Sequence, residues 1–355
     1  MPLRAIGLAV GVAVCLAACG NDQENPFDRF AFSRPPSEDA VLLYVSGAWT
    51  EGTGAPREVF AINADGSQTE RLTTCAERSD PCDFLQVAPS ANRDRIAAVR
   101  GSVAGDPEAS ALFFVDLGRS VETIITAARR VQSADWAYTD QFIAYSNGDT
   151  ENLFTVSPSG GDDAPLTDTD DRRERFLRLN YQVSNAVYEA LEETPGKSVI
   201  FSLLGGVGGA PVQVTTGGPG DEVLEGTPYI VGSDSAPAFS ADPLTFAFRR
   251  LTGTGNGGLG TWDIMATTLD AVDGPMVVVG GGGVFRGAPD WSTDGEIVFV
   301  ETDMAAGESR LVVVQPDGTG RQVLHVEDAG YRMGSPRWLR SSPEQTPRSV
   351  QATVA

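Results

Sequence analysis

The sequence predicts an all-β chain, a six-bladed β-propeller closed by N- and C-terminal strands that share one blade. Three observations carry this expectation. Strand signals recur along the whole chain and no convincing long helix appears. An aromatic residue, a polar turn carrying Asp and an apolar strand return together at intervals of roughly 50 residues. Hairpins of the Asp-Gly type join the strands between those returns.

The front of the chain is read separately from the ring. One cation, Arg4, precedes an uncharged apolar run from Ala5 to Ala18. That is the order of an export signal, so residues 1–18 are read as one. A membrane-spanning helix needs about 20 apolar residues, and this run is shorter. It ends in Leu16-Ala17-Ala18-Cys19, followed by Gly20. These residues resemble the lipobox of bacterial lipoproteins. The resemblance implies a diacylglyceryl group on the Cys19 thiol, cleavage before Cys19 and acylation of the new amino group. Stable anchoring takes two or more acyl chains, each buried CH₂ contributing about 0.8 kcal/mol. The alternatives are an ordinary signal with a chance Cys and a retained N-terminal anchor. The anchor places the protein in the cell envelope, facing the periplasm or the exterior. Gly20 and Asn21 follow Cys19 with no Asp directly after it. In lipoprotein sorting as known for some diderm bacteria, that points to the outer membrane.

Residues 19–38 read as the lipidated Cys and a flexible tether, polar and holding Pro26, Pro35 and Pro36. Residues 39–340 read as the propeller. Residues 341–355 read as a C-terminal tail, in which Ser349–Val354 has the pattern of an edge strand. The 40 glycines and 22 prolines among 355 residues suit many short strands joined by turns. They stay well below the share that marks a disordered low-complexity chain. The formal charge of −22 repels phosphate backbones, so nucleic acid is excluded as a partner. It also argues against electrostatic attachment to anionic lipid, leaving the lipid anchor as the membrane contact.

The repeats define the ring. Ala288-Pro289-Asp290-Trp291-Ser292-Thr293-Asp294-Gly295 leads into Ile297-Val298-Phe299-Val300. Ala236-Pro237-Ala238-Phe239-Ser240-Ala241-Asp242 leads into Leu244–Phe248, and Ala134-Asp135-Trp136 leads into Phe142–Tyr145. A second motif follows each such strand. It is Ile62-Asn63-Ala64-Asp65-Gly66 before Arg71-Leu72-Thr73, and Val314-Gln315-Pro316-Asp317-Gly318 before Gln322-Val323-Leu324. A weaker copy is Ser157-Pro158-Ser159-Gly160 before Pro165-Leu166-Thr167. The Gly supplies the positive φ that such turns require. Together the two motifs resemble the repeat of TolB-type, WD40-like β-propellers, over most of residues 41–340.

Aromatic or apolar anchors are read near Phe84, Trp136, Tyr181, Phe239, Trp291 and Trp338, at spacings of 52, 45, 58, 52 and 47. Six anchors imply six blades. The last anchor has no strands after it, and the strand at Val41–Val45 has no anchor before it. The two ends are therefore expected to complete one blade, which removes exposed sheet edges. An open β-sandwich and a seven-bladed ring are the alternatives.

Two cysteines remain beside Cys19 after the signal: Cys75 and Cys82, separated by polar, turn-forming residues. In an oxidising envelope they read as a disulfide. Two free thiols or half of a metal site are the alternatives, and a metal site needs more ligands.

Catalytic motifs are scarce. There is no Gly-x-Ser-x-Gly nucleophile elbow. The single His, His325, lies on an expected strand and reads as a packing or surface residue. Gly280–Gly283 and Gly205–Gly209 lack the Lys of a phosphate loop and read as inter-strand loops. Asp162, Asp163 and Asp168–Asp171 carry the oxygen ligands Ca²⁺ takes, without EF-hand spacing. They read as solvated loops, and neither a metal nor a cofactor is expected. The expected function is that of a non-catalytic, monomeric propeller whose loops bind other envelope proteins, as the TolB-type resemblance implies. The alternative is a glycan- or small-ligand-binding protein, or a hydrolase or lyase, acting from the central channel.

Overall fold

The computed structural model describes residues 31–339, apart from 49–55, 76–81, 102–109, 127–129, 138, 162, 181–184, 192–195, 206–208, 256 and 271–273. Cys19, the signal, the tail and Tyr181 lie outside the described residues.

The described residues form six antiparallel sheets, the six blades expected. In chain order the first strands are β1 (Ala40–Ala48), β2 (Glu58–Asn63) and β3 (Thr69–Arg71). Blade 1 is β4 (Asp83–Pro89), β5 (Arg95–Gly101), β6 (Ser110–Asp116) and β7 (Val121–Ile124). Blade 2 is β8 (Val131–Trp136), β9 (Ile143–Asn147), β10 (Asn152–Val156) and β11 (Ala164–Pro165). Blade 3 is β12 (Arg173–Leu179), β13 (Asn185–Leu191), β14 (Ser198–Leu204) and β15 (Pro211–Gln213). Blade 4 is β16 (Asp234–Phe239), β17 (Thr245–Gly253), β18 (Thr261–Thr268) and β19 (Met276–Val279). Blade 5 has a broken innermost strand, β20 (Phe285–Arg286) and β21 (Asp290–Trp291), followed by β22 (Ile297–Asp303), β23 (Glu308–Val314) and β24 (Gln322–Glu327). The last strand, β25 (Tyr331–Trp338), joins β1, β2 and β3 as the closing blade 6.

The closure is an antiparallel ladder, bulged at Ser335-Pro336, in which Leu42 faces Trp338 and Ala48 faces Tyr331. Arg93 of blade 1 clasps both ends of the chain path. Its Nη1 donates to the Ala40 carbonyl at 3.2 Å and its Nη2 to the Leu339 carbonyl at 3.2 Å. Within the stretch read as a tether, Phe32 bridges Thr73 and is buried in the core between blades 6 and 1.

The middle strands of each blade read as near-continuous apolar runs because both faces are covered. In β5, Ile96 and Ala98 face blade 6, whereas Ala97 and Val99 face blade 2. The period of two thus feeds two cores at once. One buried cluster fills each of the six gaps between blades. A seventh, around Tyr229 and Trp262, packs under the long connection between β15 and β16.

The hairpin motifs sit as expected, with positive φ at Gly66 (74°), Gly160 (78°) and Gly318 (82°). The Thr after Leu72, Leu166 and Val214 has a definite task. The Thr73, Thr167 and Thr215 hydroxyls accept the backbone N–H of Val59, Leu153 and Ile200 at 2.9, 3.0 and 2.9 Å. Each one thereby closes the ladder just beyond the short outer strand.

The ladder register moves the blade 1 anchor and places an apolar residue at the blade 3 position, near Tyr181, which itself lies outside the described residues. Trp136, Phe239, Trp291 and Trp338 end their innermost strands opposite Ile143, Phe246, Ile297 and Leu42. In blade 1 that position belongs to Pro89, opposite Ile96, and not to Phe84 five residues earlier. In blade 3 Leu179 holds it, opposite Ala186. Phe84 misleads because it is a buried aromatic of the same strand, packed edge-on against Phe32 at 5.5 Å. The residue after the anchor closes the turn in every blade, and it is Ala137, Asn180 and Leu339 in blades 2, 3 and 6 and Ser in the others. Ser90, Ser240 and Ser292 each donate a backbone N–H across the turn, to Arg95, Thr245 and Glu296.

Candidate functional site

The innermost strands bring six residues to one level of the ring, each directly before its anchor position. They are Ala88, Asp135, Arg178, Ala238, Asp290 and Arg337, and all are at most 6% exposed. Local backbone chemistry aims them. In blades 3, 4 and 6 the innermost strand is irregular two to three residues before the anchor, with positive φ at Phe176 (52°), Ala236 (52°) and Ser335 (47°). Such a bulge bends the strand and redirects the side chains that follow it.

The layer holds two carboxylates and two guanidinium groups, a balanced set. Arg337 reaches Asp290 at 3.6 Å and Asp135 at 3.9 Å, so charges from blades 6, 5 and 2 meet at the axis. The carboxylates also tie neighbouring blades together. Asp135 Oδ2 accepts the Leu179 N–H at 2.9 Å, and Asp290 Oδ2 accepts the Trp338 N–H at 2.8 Å. Arg178 Nη1 donates to the Leu177 carbonyl at 3.0 Å. Around the ring the order is Ala, Asp, Arg, then Ala, Asp, Arg. Blades three apart carry the same residue, so this level has a two-fold pattern. Burying a charge is costly unless it is paired and hydrogen-bonded; here Arg337 pairs with Asp135 and Asp290, and Arg178 bonds the Leu177 carbonyl.

A recess of about 420 Å³ opens where the innermost strands of blades 1 to 3 begin. Arg130, Gln132, Glu151, Arg173, Arg175 and Phe176 line it. Arg173 pairs with Glu151 at 2.8 Å, and Arg130 lies 3.9 Å from Asp149. Arg175 meets the fully buried Glu189 at 3.1 Å and lies over the Tyr229 ring at 5.2 Å. Burial opposes the Arg175 charge, but Tyr229 and Glu189 outweigh it and move its pKa up. Burial and the neighbouring Glu189 raise the Tyr229 phenol in turn. The recess is therefore polar and charge-paired, with guanidinium groups at its rim.

Sequence-predicted sites fall elsewhere. Cys75 and Cys82 form a disulfide with Cα atoms 5.1 Å apart, in the core between blades 6 and 1. His325 sits on β24, its ring 5.9 Å from that of Tyr44 and its Nε2 3.7 Å from Glu327. Asp163 accepts the Thr126 hydroxyl at 2.8 Å, and Asp171 pairs with Arg172 at 3.0 Å; Asp162 lies outside the described residues. Among the described residues no cluster of three His, Cys, Asp or Glu is placed to hold a metal ion. In the Gly280–Gly283 loop the Gly281 N–H is taken by Asp263 at 3.0 Å. Gly206–Gly208 lie outside the described residues. The axial layer was missed, although its signal is on the page: Asp-Trp at 135–136 and 290–291, and Arg before the next anchor at 178 and 337.

No known sequence family and no curated protein matches the chain. Solved structures do. TolB from Acinetobacter baumannii is similar at a TM-score of 0.63 and 13% identity, over 86% of this chain and 68% of that one. A chain of a nidogen/laminin complex is similar at 0.59 and 10% identity, over 84% of this chain and 99% of that one. An oligogalacturonate lyase in complex with manganese is similar at 0.51 and 11% identity, over 82% and 75%. The fold is that of a TolB-like six-bladed β-propeller.

Proposed function

We propose that the chain is a non-catalytic envelope lipoprotein, anchored through Cys19, whose propeller is a scaffold for binding other proteins. One observation carries the reading: the axis is filled by a charge-balanced layer whose Asp and Arg side chains engage one another and the backbone. Asp135 and Asp290 are held by backbone N–H groups and Arg337, so they are poorly placed to serve as acid and base on a ligand. Recognition then falls to the loops and to the wide recess over blades 1 to 3, a rigid frame carrying polar contacts. The likeness to TolB, and to a chain taken from a complex of two proteins, agrees with this.

Two measurements test it. A photoreactive residue at position 132, facing the recess, is expected to crosslink a discrete envelope protein in cells, while one at Asp65 on a hairpin tip is not. Equal labelling at both positions overturns the recess as the contact. Cys19→Ala is expected to release the protein from the membrane fraction and to stop signal removal. Unchanged fractionation and mass sink the anchor.

A further inference from the structure

The recess over blades 1 to 3 is cationic on a chain whose formal charge is −22. Arg130, Arg173 and Arg175 line it with one carboxylate, Glu151. At the rim the pairing is loose. The Arg173 and Glu151 side chains are 47% and 43% exposed, and Arg130 and Asp149 are comparably open. Exposed pairs of this kind contribute little to stability, so another carboxylate replaces Glu151 at small cost. Deeper in, the charges do not balance. Arg175 and the Tyr229 hydroxyl share the fully buried Glu189, the phenol donating to Oε2 at 3.4 Å. Tyr229 and Glu189 also act on Arg249, whose pKa burial lowers against their pull. Among the described residues Arg249 has no ion pair: it lies over the Trp262 ring at 4.2 Å, and its Nη2 reaches Ser235 Oγ at 3.5 Å. Arg175 Nη2 and Arg249 Nε have no hydrogen-bond partner among the described residues. Two guanidinium groups thus draw on one buried carboxylate. A buried excess of positive charge is costly until an anion offsets it, and Arg175 is where that excess meets the recess.

We propose that the recess is a carboxylate site, and that its occupant is an acidic, extended segment of a partner protein. The proposal rests on the reading of the recess as the protein contact and adds the chemistry of what enters it. One carboxylate of the segment stands beside Arg175 and offsets the charge behind it. A second takes Arg173 from Glu151 as a charge-assisted pair. The guanidinium groups start from two blades, Arg130 on blade 2 and Arg173 and Arg175 on blade 3. A segment with several carboxylates meets both blades at once, where a lone small acid meets one. The acidity of the rest of the chain does not forbid this. At physiological salt the screening length is about 8 Å, so the groups lining the recess set the local field.

The probe is a fluorescent peptide, Ser-Glu-Ser-Glu-Ser-Glu-Ser, titrated into the full chain at about 0.15 M salt and read by anisotropy. A copy with Gln for every Glu is its neutral control. Wild type is expected to bind the acidic peptide and not the copy. Arg173→Gln is expected to weaken binding about fivefold, and Glu151→Gln to tighten it about threefold by removing the competing carboxylate. Arg119→Gln and Asp65→Asn make the same charge changes on hairpins away from the recess and are expected to leave binding unchanged. Thermal melts of all four variants control for folding. The proposal is overturned if the Gln copy binds equally, if neither peptide binds, or if Arg119→Gln weakens binding as much as Arg173→Gln. Glutarate that displaces the peptide at equal concentration would seat a small acid there and overturn the choice of occupant. Concentration-dependent dimerisation that Arg173→Gln abolishes would seat a second copy and do the same. Crosslinking at position 132 reports whether any protein meets the recess, whatever its charge, so the two readings fail separately.

Discussion

Gly318 shows how a single residue serves both its own hairpin and the next blade. Its φ of +82° is one that side chains resist, and a Cβ there would lie 2.5 Å from the Val278 carbonyl oxygen of blade 4. Gly66 repeats this against the Leu324 carbonyl of blade 5. Gly295 has φ +94° but open space around its Cβ position. Gly318→Ala is therefore expected to cost about 2–3 kcal/mol, because strain and a clash combine, and Gly295→Ala about 1 kcal/mol from strain alone. Urea unfolding measures both, and equal losses would show that the inter-blade contact is unimportant. The neighbouring carboxylates add a pH effect. Thr319, through its hydroxyl and N–H, holds Asp317 below the ordinary carboxylate range, and Ser67 does the same for Asp65. A depressed pKa contributes stability above the unfolded value, lost as pH falls through the folded one. The Ser67 and Thr319 amide resonances should thus titrate with midpoints below about 3.9, the free Asp value. Midpoints at or above it would remove the turn bonds from the account.

At the scale of elements, the short loop at Cys75–Cys82 and the bulged innermost strands do different work. The disulfide closes a loop beside blade 1, where Cys75 N–H also donates to Glu58 at 3.0 Å. Replacing both cysteines by Ser is expected to cost about 2–3 kcal/mol in the chain-entropy model. A loss below about 0.5 kcal/mol, read by urea unfolding, would mean that the loop is already closed by packing. Much of this scale was legible in advance. The Asp-Gly turns lie within a few residues of the bonds they make, and Thr73 and Thr167 reach back only across one hairpin, to Val59 and Leu153, so local chemistry writes them into the sequence. The anchors were less legible. Phe84 and Pro89 share one strand, and only the pairing of Pro89 with Ile96 tells which of them ends it.

At the scale of the whole molecule, the axial layer joins residues up to 203 positions apart, from Ala134 to Arg337. Removing one member leaves a buried charge facing its former partner. Asp290→Ala leaves the Arg337 guanidinium with Asp135 and is expected to cost about 3 kcal/mol, whereas Arg337→Met takes the guanidinium from both Asp290 and Asp135 and should cost more. Urea melts of the two variants decide this, and an Arg337→Met that is the more stable of the two would refute the shared pairing. Ring closure belongs to the same scale. Arg93 and the β1–β25 ladder hold chain ends that are far apart in sequence.

By itself, the sequence determined the class, the blade count, the turns, the Cys75–Cys82 pair and the meeting of the two terminal strands. These follow from period, turn chemistry and repetition, which are local or count-based properties. Only the tertiary structure decided which residue before each anchor faces the axis, and that Arg337 meets both Asp135 and Asp290 there. Those are relations between blades, and no local rule of side-chain preference encodes what lies opposite in a ring.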